Sequence, residues 1–126
     1  MTETTAIIAV ATSILGLILL TIASESLEPP YSRIGDLNTA SAGTNIHLQA
    51  EITNVKEFKG GSVMLTLSQD NNTVDVFLPY PTPQQLDFKP KTKQRIDVIG
   101  TAEIYKGKLE ITVEKPGNIR QIKDEG

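Results

Sequence analysis

The sequence predicts an all-β fold preceded by one transmembrane helix. From Ile46 onward, apolar residues recur at every second position in five separate runs, the period of strands with one buried face. Ahead of them, Ala6 to Ala23 is interrupted only by Thr12, Ser13 and Thr21 among polar residues, and no charge lies between Glu3 and Glu25. With 126 residues, there is material for one cored domain rather than two. The chain therefore divides into a tail (1–5), a membrane helix (6–23), a linker (24–33) and a barrel domain (34–126).

The apolar segment comes first. At ~1.5 Å per residue, about 20 residues cross the ~30 Å hydrocarbon core, which the uncharged stretch Thr4–Ser24 just achieves. Its hydroxyls can bond back to helix carbonyls, and so small a domain cannot enclose a helix that is apolar on every face. A cleaved signal peptide would begin with positive charge, but the first basic residue is Arg33, which favours an uncleaved anchor in the lipid bilayer. Arg33 is also the only Lys or Arg in range of the positive-inside rule, and it places the domain on the cytoplasmic side of a single-pass membrane protein. With the opposite orientation, Asn71-Asn72-Thr73 would become a glycosylation sequon. The small-residue pairs Thr12/Gly16 and Ala9/Ser13 would suit a membrane protein partner. Ser24–Ser32, with Pro29-Pro30, has the composition of a short stiff spacer. The net charge of −3 belongs to this N-terminal part: all 12 Lys and Arg, and all acidic residues but Glu3, Glu25 and Glu28, lie from Arg33 onward, leaving the domain formally neutral.

In the first strand Ile46, Leu48, Ala50 and Ile52 face inward, and His47, Gln49 and Glu51 outward. The second buries Val63, Leu65 and Leu67 and turns Met64, Thr66 and Ser68 out. The third sets Val74, Val76 and Leu78 against Thr73, Asp75 and Phe77. In the fourth, Ile96, Val98, Gly100, Ala102 and Ile104 alternate with Arg95, Asp97, Ile99, Thr101 and Glu103; the fifth buries Leu109, Ile111 and Val113. Gly60-Gly61 breaks the chain between the first two strands, Asp70-Asn71-Asn72 closes a tight hairpin, and Lys106-Gly107 closes another. Only the connection Pro79–Lys93 is longer. Thr82 followed by Pro83 reads as an N-cap and first helical position, which predicts a short helix over Pro83–Phe88. Five strands with a short helix between strands 3 and 4 is the order of a five-stranded OB-fold Greek-key barrel, and Gly100 is placed for the bend a small barrel demands.

Ile46–Ile111 also resembles the OB-fold nucleic-acid-binding group that includes tRNA-anticodon-type and replication protein A-like domains. The resemblance lies in the AEITNV, LTLSQDNNTVDVFLP and RIDVIGTAEIYKGKLEI stretches, with Ile96, Val98, Gly100, Tyr105, Gly107, Leu109 and Ile111 in the family's pattern. Gln69 stands where the family has Asp and Asn72 where it has Gly, and no Gly occurs in Lys91-Thr92-Lys93 ahead of the fourth strand. The resemblance implies binding of single-stranded DNA or RNA.

Such a site needs rings for base stacking and cations for phosphates, set on the second and third strands and the flanking loops. The candidates are Lys56, Phe58 and Lys59 in the first loop, Met64 and Thr66 on the second strand, Phe77 and Tyr80 on and after the third, and Tyr105, Lys106 and Lys108 at the last hairpin. The basic run Lys89, Lys91, Lys93 and Arg95 has the character of a solvated segment. No cysteine is present, which excludes disulfides, thiolate nucleophiles and cysteine-ligated metals, and the single histidine, His47, reads as exposed on a strand with no nucleophile beside it. No phosphate-cradling loop, metal-ligand spacing or nucleophile elbow occurs. The expectation is a binding module with no catalytic residue, cofactor or metal. An alternative is an extracytoplasmic OB domain for a protein or small ligand, or a scaffold in a membrane complex. An anchor followed by an OB barrel is also the layout of the haem chaperone of cytochrome c maturation, but the tail from Lys115 lacks the histidine that role requires.

Overall fold

A computed structural model describes residues 28–123. The expected tail and membrane helix, and the first residues of the linker, lie outside the described residues. Among those described, no helix is long and apolar enough to cross a membrane.

Six strands build the domain: β1 (Asn45–Glu57), β2 (Val63–Gln69), β3 (Asn72–Leu78), β4 (Arg95–Tyr105), β5 (Lys108–Thr112) and β6 (Ile119–Ile122). The first five close a ring. β1 curls through two partners, its first half (Asn45–Glu51) antiparallel to β4 and its second half (Glu51–Glu57) antiparallel to β2, with a bulge between Ile52 and Asn54 where the partner changes. A bulge bends and twists a strand, as this switch requires. β2 and β3 form a hairpin whose two-residue turn holds Asp70 and Asn71 at φ 50° and 66°. β3 then pairs parallel with β5, and β5 returns antiparallel to β4 through Lys106-Gly107.

Leu48, Ile52, Leu65, Leu67, Val76, Leu78, Ile96, Val98 and Ile111 are fully buried inside the ring. Burying each such side chain is worth about 1.5–3 kcal/mol. Gly100 permits the closure: a Cβ there would lie 2.6 Å from Ile111 Cγ2 and 2.7 Å from the Thr112 carbonyl oxygen, so any side chain would push β4 off β5.

The structure corrects five expectations. A sixth strand exists: β5 covers one edge of β4 only from Thr101 to Tyr105, and β6 takes Arg95–Val98 of the same edge. Ile104, expected inside, is 43% exposed, because the β4–β5 hairpin runs on past the point where β1 leaves β4 at Thr101. The helix expected over Pro83–Phe88 is a single 3-10 turn, Thr82–Gln85, with Pro81 at its N-cap position; the buried Thr82 hydroxyl instead donates to the Glu114 carbonyl at 2.8 Å.

His47 and Asp97, both on the outward side of their strands, are buried. The segment ahead of the barrel lies over them: Tyr31 forms a parallel bridge with His47, the Ser32 amide donates to the His47 carbonyl, and the Tyr31 ring covers the imidazole at 3.9 Å between centroids. The Tyr31 end of the stretch read as a spacer is therefore laid on the barrel.

Candidate nucleic-acid interface

Two cross-strand rows cover the outer face of β2, β3, β5 and β4. Alternation sends every second side chain outward, and the register aligns them across strands. The first row runs Met64, Phe77, Thr112; the second runs Thr66, Asp75, Glu110, Glu103. The β1–β2 turn, closed by bonds from the Phe58 amide to Ser62 and from the Gly61 amide to Phe58, lifts Phe58 beside the first row. The β4–β5 hairpin brings Tyr105 to the other side. Phe58, Met64, Phe77 and Tyr105 thus line one groove of about 460 Å³, together with Ser62, Glu103, Glu110 and Thr112.

Four of the ten residues singled out from the sequence meet in this groove, and the other six lie around or away from it. Phe58 meets Phe77 edge to face at 6.3 Å between centroids. Lys56 Nζ sits 5.2 Å from the Phe58 ring centre, and Lys106 Nζ 5.4 Å from that of Tyr105, so both lysines rest on the rings of the groove. Lys59 is exposed in the turn. Lys108 pairs with Asp75 at 3.6 Å, and the Thr66 hydroxyl donates to the other oxygen of the same carboxylate at 2.9 Å. Tyr80 is 63% exposed but packs toward Gly61, where a Cβ would touch its ring at 2.8 Å, and it does not line the groove. Of the basic run, Lys89 lines a second hollow of about 540 Å³ on the β3–β4 connection side of Phe58, with Leu86 and Phe88.

The sequence reading missed the acidic side of the groove. Glu103 and Glu110 stand directly opposite one another on β4 and β5, and Asp75 neighbours Glu110 on β3. Adjacent like charges repel, and the row relieves this unevenly. Asp75 has Thr66 and Lys108, and Glu103 accepts from the Thr112 hydroxyl at 3.1 Å. Burial, then Asp75, then Glu103 push the Glu110 carboxyl above its ordinary value, with Lys108 acting in the opposite sense. The alternation that put Leu109, Ile111 and Val113 inward was signal enough to place Glu110 and Thr112 outward on this face.

The single histidine sits in a different network. His47 Nε2 lies 2.6 Å from Asp97 Oδ1 and Nδ1 lies 3.0 Å from the Pro29 carbonyl oxygen. Tyr31 donates its hydroxyl to Asp97 Oδ2 at 2.9 Å, and Gln49 donates to both. Burial would raise the Asp97 carboxyl, but the hydrogen bonds from Gln49, Tyr31 and His47 outweigh it and hold the group below its ordinary value. The same carboxylate, as acceptor, raises the Tyr31 hydroxyl. Both ring nitrogens of His47 are engaged, so the network ties the leading segment to β1 and β4.

No family model matches the chain, and no curated protein does. Solved structures do. An OB domain from Methanosarcina mazei superposes with a TM-score of 0.63 at 14% identity, covering 78% of this chain and 88% of that one. The chain folds as an OB domain. The second OB-fold domain of replication protein A from Methanococcus maripaludis gives 0.56 at 21% identity over 76% of this chain and 98% of that one. Aspartyl-tRNA synthetase from Entamoeba histolytica gives 0.62 at 20% identity over 76% of this chain, which spans 23% of the synthetase. At these identities the likeness is one of fold. The groove lies between the β1–β2 turn and the β4–β5 hairpin of that fold, on the outer face of β2 and β3.

Proposed function

We propose that this chain is a binding module that holds single-stranded nucleic acid in the groove of its OB barrel, performs no chemistry, and is tethered to a membrane by residues 6–23. The observation that carries the reading is the convergence of Phe58, Phe77 and Tyr105, from three separate parts of the chain, on one groove with lysines at its rim. Stacking a base on such a ring is worth ~1–3 kcal/mol, against ~0.5–1 kcal/mol for an exposed cation–π contact. An incoming base thus displaces Lys56 or Lys106 from its ring at a net gain, and the freed ammonium is left beside the strand's phosphates. The engagement of both ring nitrogens of His47 supports a reading without catalysis. The tether rests on the uncharged stretch Thr4–Ser24, and Arg33 supports a cytoplasmic domain.

Fluorescence-anisotropy titration of a labelled oligonucleotide with the full chain in detergent micelles tests this. Salt-sensitive binding of single strands over duplex is expected; no binding of either contradicts it. The acidic row Asp75, Glu110 and Glu103 favours a second reading, a protein partner presenting basic side chains to the same groove. Absence of oligonucleotide binding would direct the search there.

A further inference from the structure

A polyanion site with carboxylates in its wall calls for an explanation, and the chemistry of the bases supplies one. Glu103 and Glu110 line the same groove as Phe58, Phe77 and Tyr105. A base stacked on those rings keeps its Watson–Crick edge free to meet a groove wall, which is how single-stranded bases are read. A carboxylate offers two acceptor oxygens and no donor. Guanine presents two neighbouring donors on that edge, the N1–H and the N2 amino group. Adenine and cytosine each pair one amino donor with a ring-nitrogen acceptor, and thymine and uracil flank one N–H with two carbonyl oxygens. Only guanine matches a carboxylate with two parallel hydrogen bonds, the bidentate geometry that makes charge-assisted pairs both strong and specific.

The hydrogen-bond pattern identifies which carboxylate. Glu103 accepts from Thr112, and Asp75 accepts from Thr66 and pairs with Lys108. The Glu110 carboxylate, half-buried between them, accepts no hydrogen bond from another side chain among the described residues. Building on the single-strand reading above, we infer that Glu110 is a guanine-reading residue, accepting from guanine N1–H and N2–H of a base stacked among Phe58, Phe77 and Tyr105. The carboxylate row then trades some general affinity for phosphates against selection of one base. Burial and its acidic neighbours push the Glu110 carboxyl up, and donors brought by a base would act in the opposite sense.

The test uses the full chain in detergent micelles and thymidine strands carrying one central substitution, so that guanine quadruplexes cannot form. A guanine strand should bind on the order of tenfold tighter than the all-thymidine strand, the range of a good bidentate base contact. A 7-deazaguanine strand, whose Watson–Crick edge is intact, should bind as guanine does. An inosine strand, lacking the N2 amino group, should lose most of the advantage. Glu110→Gln should abolish the guanine advantage while binding the all-thymidine strand at least as tightly as the wild type, because a repelling charge is gone. If all strands bind equally, or Glu110→Gln still prefers guanine, the inference is overturned and the single-strand reading stands. If no strand binds, both fall.

Discussion

Replacing Phe58 separates the binding role of the groove from its packing. The ring meets Phe77 at 6.3 Å and 69° and lies under Lys56 Nζ at 5.2 Å, yet it is 38% exposed. The edge-to-face contact contributes ~0.5–1.5 kcal/mol and the exposed cation–π contact ~0.5–1 kcal/mol, so Phe58→Ala should cost about 1–2.5 kcal/mol of folding stability. The loss in binding is of different origin. One stacking platform is worth ~1–3 kcal/mol, so Kd for a single strand should rise roughly five- to 150-fold. Phe58→Leu divides the two effects, since a branched aliphatic chain keeps most of the contact with Phe77 but offers no face to a base. Denaturant unfolding and anisotropy titration should show Phe58→Leu between wild type and Phe58→Ala in stability and close to Phe58→Ala in affinity. A Phe58→Leu protein that binds like wild type would refute the stacking argument.

Three further outcomes follow from the fold. Gly100→Ala puts a Cβ 2.6 Å from Ile111 Cγ2 and 2.7 Å from the Thr112 carbonyl, neither a freely swinging group, so it should lose about 1–3 kcal/mol or more in chemical denaturation. His47→Ala removes one donor from buried Asp97 and the platform under Tyr31, while Tyr31 and Gln49 still donate. The cost should be ~2–3 kcal/mol, short of the ~3–5 kcal/mol for a buried pair left bare, and measurable by the same unfolding curve. Because the Asp97 carboxyl is held below its ordinary 3.8, its contribution is present above the unfolded-state value and lost as pH falls through the folded one. Melting temperatures measured from neutral pH down to about 3 should therefore fall less steeply for Asp97→Asn than for wild type.

The ring was legible because each of its strands has one face buried, and a period of two then records the inside directly: Leu48, Ile52, Leu65, Leu67, Val76 and Ile111 stand where the alternation puts them. The two-residue hairpins were legible because Asp70-Asn71 and Lys106-Gly107 lie between apolar runs of matching phase. What escaped depends on contacts between distant segments. His47 and Asp97 sit at outward positions, and only the path of Pro29–Ser32 over them makes them buried. Ile104 keeps the inward phase after the partner strand has ended. The four residues of β6 carry no period of their own and gain strand geometry from the free edge of β4. Among the proposed site residues, ring type and loop position led to Phe58, Phe77 and Tyr105. The carboxylates beside them went unremarked because the sequence does not show β3 pairing with β5, the contact that sets Asp75 next to Glu110.

The salt dependence of single-strand binding bears most directly on the proposed function. Among the described residues, Lys56, Lys59 and Lys106 are the cations near the groove not held by a carboxylate, since Lys108 is engaged by Asp75. Each phosphate contact to a single strand contributes a slope of ~−0.7 in log K against log salt, so three give roughly −2. Anisotropy titration of a strand of about sixteen nucleotides, the upper footprint of one OB fold, should give that slope with the full chain in micelles. No binding up to roughly 100 µM protein, the weak end of non-specific association, or binding with a slope near zero, would contradict it.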